Sequence, residues 1–558
     1  MESKHKVTQC LFVKHLPKGS DNKDTHFIVL KHVKEDDTFT KELKILENYQ
    51  RPVWVTKPIH RKYKHKKEYE HEDRLDKIKT TQSDMPYAVC RALGKETSNY
   101  NIRNIKDSPY IYGMDVPSTA FIKEIYDIKS DNYFRAFDIL NLDIEFDVTG
   151  KYNDVSIVTL SMPGLRHTFA LRRLYKNIGN DEYVINKIKT MSLELLPDSE
   201  AKKICKVYNV TLYNNDLDLL KAVFKMVHEL SPDIATFHNI VYDISRITER
   251  LEFWNVKPED LFSDPSVPEN QRYFIFKKAK TSKEKKGKKY SIPIEEQWTT
   301  VDFPAKFMLM DSMTTYDAIR QGGGKVVGGY GLDNLLKKNG VEGKLFYTDE
   351  FTENLTKLQW HIYMSENKPL EYTIYAEQDT LGMTNLELKT KDFSYSVPVF
   401  IGIGDFNRFN SSVHKNVCTG YLDHKERNLI IGTTPTNPTD WSILGTNDWI
   451  KTLGSDNIQE IGLEVTNIPG LKTNVTAHAD DVDCVSSYPS DTEACNVSST
   501  TCVAEVISVG NFDKTEFKNH NINLVSSNAN NTEYMTDMLK APTIIQMIEM
   551  SRYEINTL

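Results

Sequence analysis

In the run ILNLDIEFD, Asp143 and Glu145 stand two apart, so in an extended segment both side chains leave one face while Leu142, Ile144 and Phe146 leave the other. Acid-x-acid is common in itself. With 78 acids in 558 residues it recurs about 11 times by chance, mostly as solvated strand faces. The setting makes this copy informative, because an apolar strand that opens an α/β pattern carries its carboxylates inward, where unpaired charges are costly without a cation.

Length gives a prior of about three or four domains. Hydrophobic residues at 39% and charged residues at 27% describe a folded, fairly polar chain. No apolar run approaches the length of a membrane span. The start, MESKHKVTQCLFVKHLPKG, lacks the apolar core of a secretion signal, so the expected setting is cytoplasmic. The cysteines, 7 in number, are scattered without a CxxC pair and read as free thiols. A net charge of -8 argues against nucleic-acid binding by bulk charge, so any such contact is local. Two basic runs could supply it, His60 to Lys67 and Phe276 to Lys289, and a solvated loop is an equal reading of each.

Short strand-like runs (LFVKHL, HFIVLKHV) fill the first 130 residues. From Phe134 to about Leu386 apolar strands alternate with amphipathic helices such as DLDLLKAVFKMVHEL, which reads as an α/β domain. The Lys-rich insert between RYFIF and KYSIPI reads as a long hairpin. After Pro398 Gly, Asn, Ser and Thr become frequent. The terminal stretch MLKAPTIIQMIEMSRYEINTL reads as a helix that either docks another chain or packs on its own domain.

Two helical segments add polar residues. In DIATFHNIVYDISRITERL, Ile240, Ile244, Ile247 and Leu251 form one stripe, and Asn239 and Asp243 stack one turn apart on a neighbouring one. In EYTIYAEQDTLGM, Tyr375 and Asp379 stand one turn apart. Taken singly, each reads as an ordinary helix, the second as a core Tyr beside an exposed Asp.

Taken in order, DxE on a strand, NxxxD on a helix and YxxxD on a late helix resemble the 3′→5′ proofreading exonuclease of the DnaQ, ribonuclease H-like type attached to family B DNA polymerases. The resemblance implies Asp143, Glu145, Asp243 and Asp379 as metal ligands, Tyr375 as the residue that orients the attacking water, and Asn239 as a contact to the substrate strand. Hard carboxylate oxygens suit Mg²⁺ or Mn²⁺. Two such ions would activate water and stabilise the departing 3′ oxygen. The stretch GGYGLDNLLKKNGVEGKL after MDSMTTYDAI resembles a segment of the T-even bacteriophage enzymes, and the Lys-rich hairpin sits where those enzymes carry one that helps move the primer end.

Near the end, DCVSSYPS followed by NVS resembles motif A of the same polymerases. That likeness implies Asp483 as a metal ligand, backbone N–H groups near Ser486 and Ser487 cradling the triphosphate, and Tyr488 as the gate against ribose. Ser487 departs from the Leu usual there. Neither a fingers helix of the KxxxNSxYG type nor a DTD motif follows.

The resulting expectation is a multidomain α/β and α+β chain: an N-terminal domain over 1–130, a ribonuclease H-like exonuclease domain with a mixed sheet over 131–391, a return to the N-terminal domain over 392–433, and a partial palm over 434–558. It reads as the N-terminal part of a split polymerase. Implied partners are primer-template and single-stranded DNA and a second chain with the rest of the palm, fingers and thumb. A sliding clamp is a further partner in that family, although no clamp-binding peptide is visible; no membrane is involved. For a viral chain the setting would be the cytoplasm of an infected bacterial host. The competing readings are a standalone exonuclease with a vestigial palm and a catalytically silent DNA-binding scaffold.

Overall fold

Apolar runs broken by single polar residues favour extended chain, and the N-terminal segments VTQCLFVKHL, THFIVLKHV and FTKELKILE form strands β1 (Val7–Leu16), β2 (Thr25–Val33) and β3 (Phe39–Glu47). They pair as an antiparallel sheet in the order β1-β2-β3. The computed structural model describes residues 7–436 except 20–21, 64–65, 68, 127–134, 286–287, 321–325, 349–351 and 410, together with 504–508 and 553–557. Asp483, Ser486, Ser487 and Tyr488 lie outside the described residues.

The chain divides into two units, one of Met1–Val55, His71–Ile102 and Tyr112–Ile431, the other of Thr56–Glu70, Arg103–Ile111 and Gly432–Leu558. The first contains an eight-stranded mixed sheet. Its strands are β4 (Ile139–Phe146), β5 (Val155–Met162), β6 (Leu165–Leu171), β7 (Val207–Tyr213), β8 (Ile234–Phe237), β9 (Ile275–Lys277), β12 (Thr300–Asp302) and β13 (Met308–Asp311). Between β9 and β12, β10 (Ser282–Lys285) and β11 (Lys288–Ser291) pair antiparallel as the hairpin read from the lysine run. The sheet order is β7-β6-β5-β4-β8-β13-β12-β9. β4, β5 and β6 run antiparallel in sequence, while β8 lies parallel to both β4 and β13. This mixed sheet is consistent with a ribonuclease H-like domain.

Helices cover both faces. On one, α2 (Asp216–Leu230) and α3 (Ile240–Phe253) bury Leu220, Val223 and Phe224, and Ile240, Ile244, Ile247 and Leu251, against Leu142, Ile144 and Leu160. Each such side chain contributes ~1.5–3 kcal/mol. On the other, α1 (Asp181–Leu195), α6 (Lys357–Asn367) and α7 (Pro369–Thr390) enclose Ile157, Ala170, Val184, Ile188, Trp360, Met364, Tyr372 and Tyr375. Two shorter helices, α4 (Ser312–Ile319) and α5 (Leu332–Lys338), follow β13. Gly382 lets α7 meet α5 closely, since a Cβ there would lie 2.8 Å from Leu336 Cδ1.

The N-terminal sheet shares a core with this domain: Leu11, Phe12 and Val29 pack with Phe137, Ile139, Ile234 and Met308. Lys31 and Lys41 stand directly opposite each other on β2 and β3, an arrangement that repels unless it is neutralised. Asp233, at the foot of β8, forms ion pairs with both at 2.6 Å, and Lys31 also reaches Asp138 at 2.8 Å. Burial alone would raise Asp233, but Lys41 and Lys31 hold it below the usual carboxylate range.

In the second unit, the start of the basic run is tied down: Arg61 donates to the Thr56 carbonyl at 2.8 Å and Tyr63 meets Tyr110 edge-on at 5.1 Å. The terminal helix expected from the sequence is corrected at its end. Tyr553–Thr557 is a strand, antiparallel to Ala504–Ser508; its alternating Tyr, Ile and Thr favour a pleated surface. The rest of that segment lies outside the described residues. Cys10, Cys90, Cys205 and Cys418 are buried, and no described helix is long and apolar enough to cross a membrane.

Candidate active site

Alternation along β4 sends Leu142 and Ile144 into the core beneath α2 and α3 and turns Asp143 and Glu145 toward α7. There Asp379 meets them: carboxylate oxygens of Asp143, Glu145 and Asp379 lie within 4.8 Å of one another. Asp143 keeps some exposure, whereas Glu145 and Asp379 are buried. The exposed Asp379 of the simplest helical reading is therefore corrected. α7 is enclosed along most of its length, burying Tyr375 and Asp379 alike at 2% exposure.

Crowded acids resist ionisation. Burial, then the charges of Asp379, Glu145 and Asp243, raises Asp143 well above its ordinary value. Burial likewise lifts Glu145 to about 7 and raises Asp379 and Asp243. Asp243 stands outside the group of three. It lies buried on the first turn of α3, and after burial the charges of Asp311 and Glu145 raise it most.

That turn is anchored from below. Asp311 accepts the Ile240 N–H and the Thr314 N–H at 2.8 Å each. His238 stands 3.0 Å from both Ser312 Oγ and the Tyr330 carbonyl. Asn239 is the N-terminal cap residue of α3, yet its side chain makes no capping bond, which leaves it available for another partner.

Several residues not singled out from the sequence complete the site. Lys344 donates to Tyr375 Oη at 2.8 Å and forms an ion pair with Asp379. Burial works against its charge, but Asp379, Tyr375 and Asp143 together raise its pKa. Tyr372 donates to Glu145 Oε2 at 2.5 Å, and His361 Nδ1 stands 3.0 Å from the same hydroxyl. His361, driven down to about 4 by burial, is neutral at pH 7. The Tyr372 and Tyr375 rings stack 6.0 Å apart with an interplanar angle of 5°. Tyr372 had a signal in sequence, since it precedes Tyr375 by one helical step; Lys344, in the GKL of a loop, had only its place in the resembling segment.

Asp379 Oδ1 is buried without a hydrogen-bond partner among the described residues. A buried carboxylate with an orphaned oxygen, grouped within 4.8 Å with two further acids, fits a divalent cation, and an all-oxygen donor set suits Mg²⁺ or Mn²⁺. Comparison with known families gives the class. Residues 137–293 match the model of DNA polymerase family B, exonuclease domain. The match spans Asp143, Glu145, Asn239 and Asp243 and stops before Tyr375 and Asp379. It identifies this stretch as an exonuclease domain of that kind, a class of divalent-metal-dependent hydrolase whose substrate is DNA. No curated protein gives a match to the chain.

Proposed function

We propose that the chain is a divalent-metal-dependent nuclease that removes nucleotides from the 3′ end of a DNA strand. The observation that carries this reading is the convergence of Asp143 and Glu145 from β4 with Asp379 from α7 within 4.8 Å, inside a domain whose first part matches family B exonucleases. Asp143, Glu145 and Asp379 hold the cations, with Asp243 joining from α3. Such ions would supply Lewis-acid activation of water and of the departing 3′ oxygen. The protein's own groups do the positioning. Tyr375 Oη accepts from Lys344, which leaves its proton to direct a lone pair of the attacking water. Lys344 offsets part of the negative charge around Asp379, and Asn239 contacts the strand.

The test is digestion of a 5′-labelled single-stranded oligonucleotide. Stepwise shortening with Mg²⁺ or Mn²⁺, none with EDTA, and none with a folded Asp143→Ala variant is expected. Full digestion by that variant overturns the reading.

A wider reading is supported by DCVSSYPS, with Asp483 as a palm ligand, Ser486 and Ser487 at the triphosphate and Tyr488 beneath the sugar. On it the chain is the N-terminal part of a split family B polymerase of the T-even bacteriophage type, active in DNA replication, and a second chain supplies the rest of the palm, fingers and thumb. Primer extension should then appear when that chain is added and vanish with Asp483→Ala, while digestion persists. Extension unaffected by Asp483→Ala would overturn it.

A further inference from the structure

We propose that Arg246 grips the phosphodiester backbone of the single strand as it enters the carboxylate cluster; this rests on the exonuclease reading and adds a substrate contact to it. Arg246 follows Asp243 by three residues on α3, so the two side chains are neighbours on the helix surface. Its guanidinium lies 4.7 Å from the ring centroid of Phe146, the residue after Glu145, and 5.2 Å from that of Tyr242, the residue before Asp243. The fork is thus held between two rings, each adjacent in sequence to an acid of the site.

This shelf is open to solvent. The Arg246 side chain is 36% exposed and Tyr242 39%. Its ion pair with Glu249, at 2.8 Å, joins it to a side chain 54% exposed. Exposed pairs of this kind are weak and screened by salt, so a phosphate can replace Glu249. A guanidinium already braced by rings loses little freedom when it binds and can take a phosphate through two parallel hydrogen bonds.

The electrostatics favour such a group. Asp143, Glu145, Asp243 and Asp379 together repel a polyanionic strand, and Lys344 is already engaged with Asp379 inside the cluster. A cation at the rim attracts the backbone without competing with metal for the carboxylates. Tyr242, the more exposed of the two rings, then offers a stacking surface to a base that the held backbone presents.

The test uses the full chain and two readouts. Binding of a fluorescein-labelled oligothymidylate is followed by anisotropy with Ca²⁺, and digestion of the same strand is followed with Mg²⁺. Arg246→Ala should weaken binding about tenfold and raise KM to match, with kcat within about twofold. The slope of log affinity against log salt should flatten by about 0.7, the value for one lost phosphate contact on a single strand. Arg246→Lys should recover part of the affinity and the full slope. An unchanged salt slope and KM in Arg246→Ala, while wild type digests and Asp143→Ala does not, would overturn the role of Arg246 alone. Wild type that binds without digesting would sink the nuclease reading, and the anisotropy arm would still decide Arg246. A wild-type chain that neither binds nor digests would overturn both. A fall in thermal stability with the slope intact would make Arg246 a packing residue.

Discussion

The Asp333 carboxylate accepts the backbone N–H of Lys344 at 2.9 Å, and this one bond ties the start of α5 to the turn from which Lys344 reaches the acidic cluster. Gly343 has no side chain there because a Cβ would collide with Asp333 Oδ1. Asp333 and Gly343 are the acid of the GLD stretch and the glycine of the GKL stretch, so two segments 10 residues apart form one device for aiming a lysine. Asp333→Ala, which frees the turn, should lower kcat for strand digestion by about ten- to a hundredfold through misplacement of Lys344. Lys344→Met should cost about a hundredfold or more. Single-turnover digestion with a circular-dichroism check of folding measures both.

Tyr372→Phe probes the support of Glu145. The hydroxyl donates to Glu145 Oε2 and favours its charged form. Without it Glu145 climbs further, and a carboxyl must lose its proton to ligate a metal. The half-saturating Mg²⁺ concentration should rise about tenfold near pH 6.5, by the linkage of one pKa unit to tenfold, and converge on wild type in alkaline buffer. A constant ratio across pH would refute this account.

Metal should stabilise the protein in a pH-dependent way. Glu145 rises from 4.5 to about 7 on folding. An acid whose folded pKa is raised binds more protons in the folded state, so stability falls as pH climbs through that window and the cost is complete above about 7. Asp143 and Asp379 shift in the same direction. The gain in Tm on adding Mg²⁺ should therefore be small at pH 5 and grow toward pH 8. Asp143→Asn should raise the Tm of the metal-free protein, by relieving repulsion, while ending digestion. A Mg²⁺ gain that is flat with pH would count against a carboxylate site.

Asp233→Ala should be among the most damaging substitutions in the first unit. It leaves Lys31 and Lys41 buried and facing each other across β2 and β3, a loss of about 3–5 kcal/mol for a broken buried pair. Urea unfolding measures it. Because Asp233 is held below the usual carboxylate range, its contribution is present above its unfolded pKa and fades as pH drops through the folded one.

Much of this site was legible because its carriers obey a simple period. Alternation placed Asp143 and Glu145 on one face of β4, and the Ile240, Ile244, Ile247 and Leu251 stripe oriented α3 so that Asp243 and Arg246 flank the buried face. Burial of Asp379 was not legible. α7 is packed on several sides, and its buried Thr373, Glu377, Gln378 and Thr380 erase the contrast between polar and apolar faces that periodicity detects. Lys344 obeys no period at all, since its position depends on a hydrogen bond to Asp333 and a missing Cβ at Gly343. The Lys31–Lys41–Asp233 cluster was equally hidden, because it depends on the pairing register of β2 with β3 and on a residue about 200 positions away.

Asp143 and Asp379 come from opposite ends of the first unit's α/β domain. A chain emerging from the ribosome carries β4 long before α7, so its earliest folded portions hold half of the acidic cluster and neither Lys344 nor Tyr375. The acidic cluster is therefore completed only when α7, which carries Asp379, docks onto the sheet.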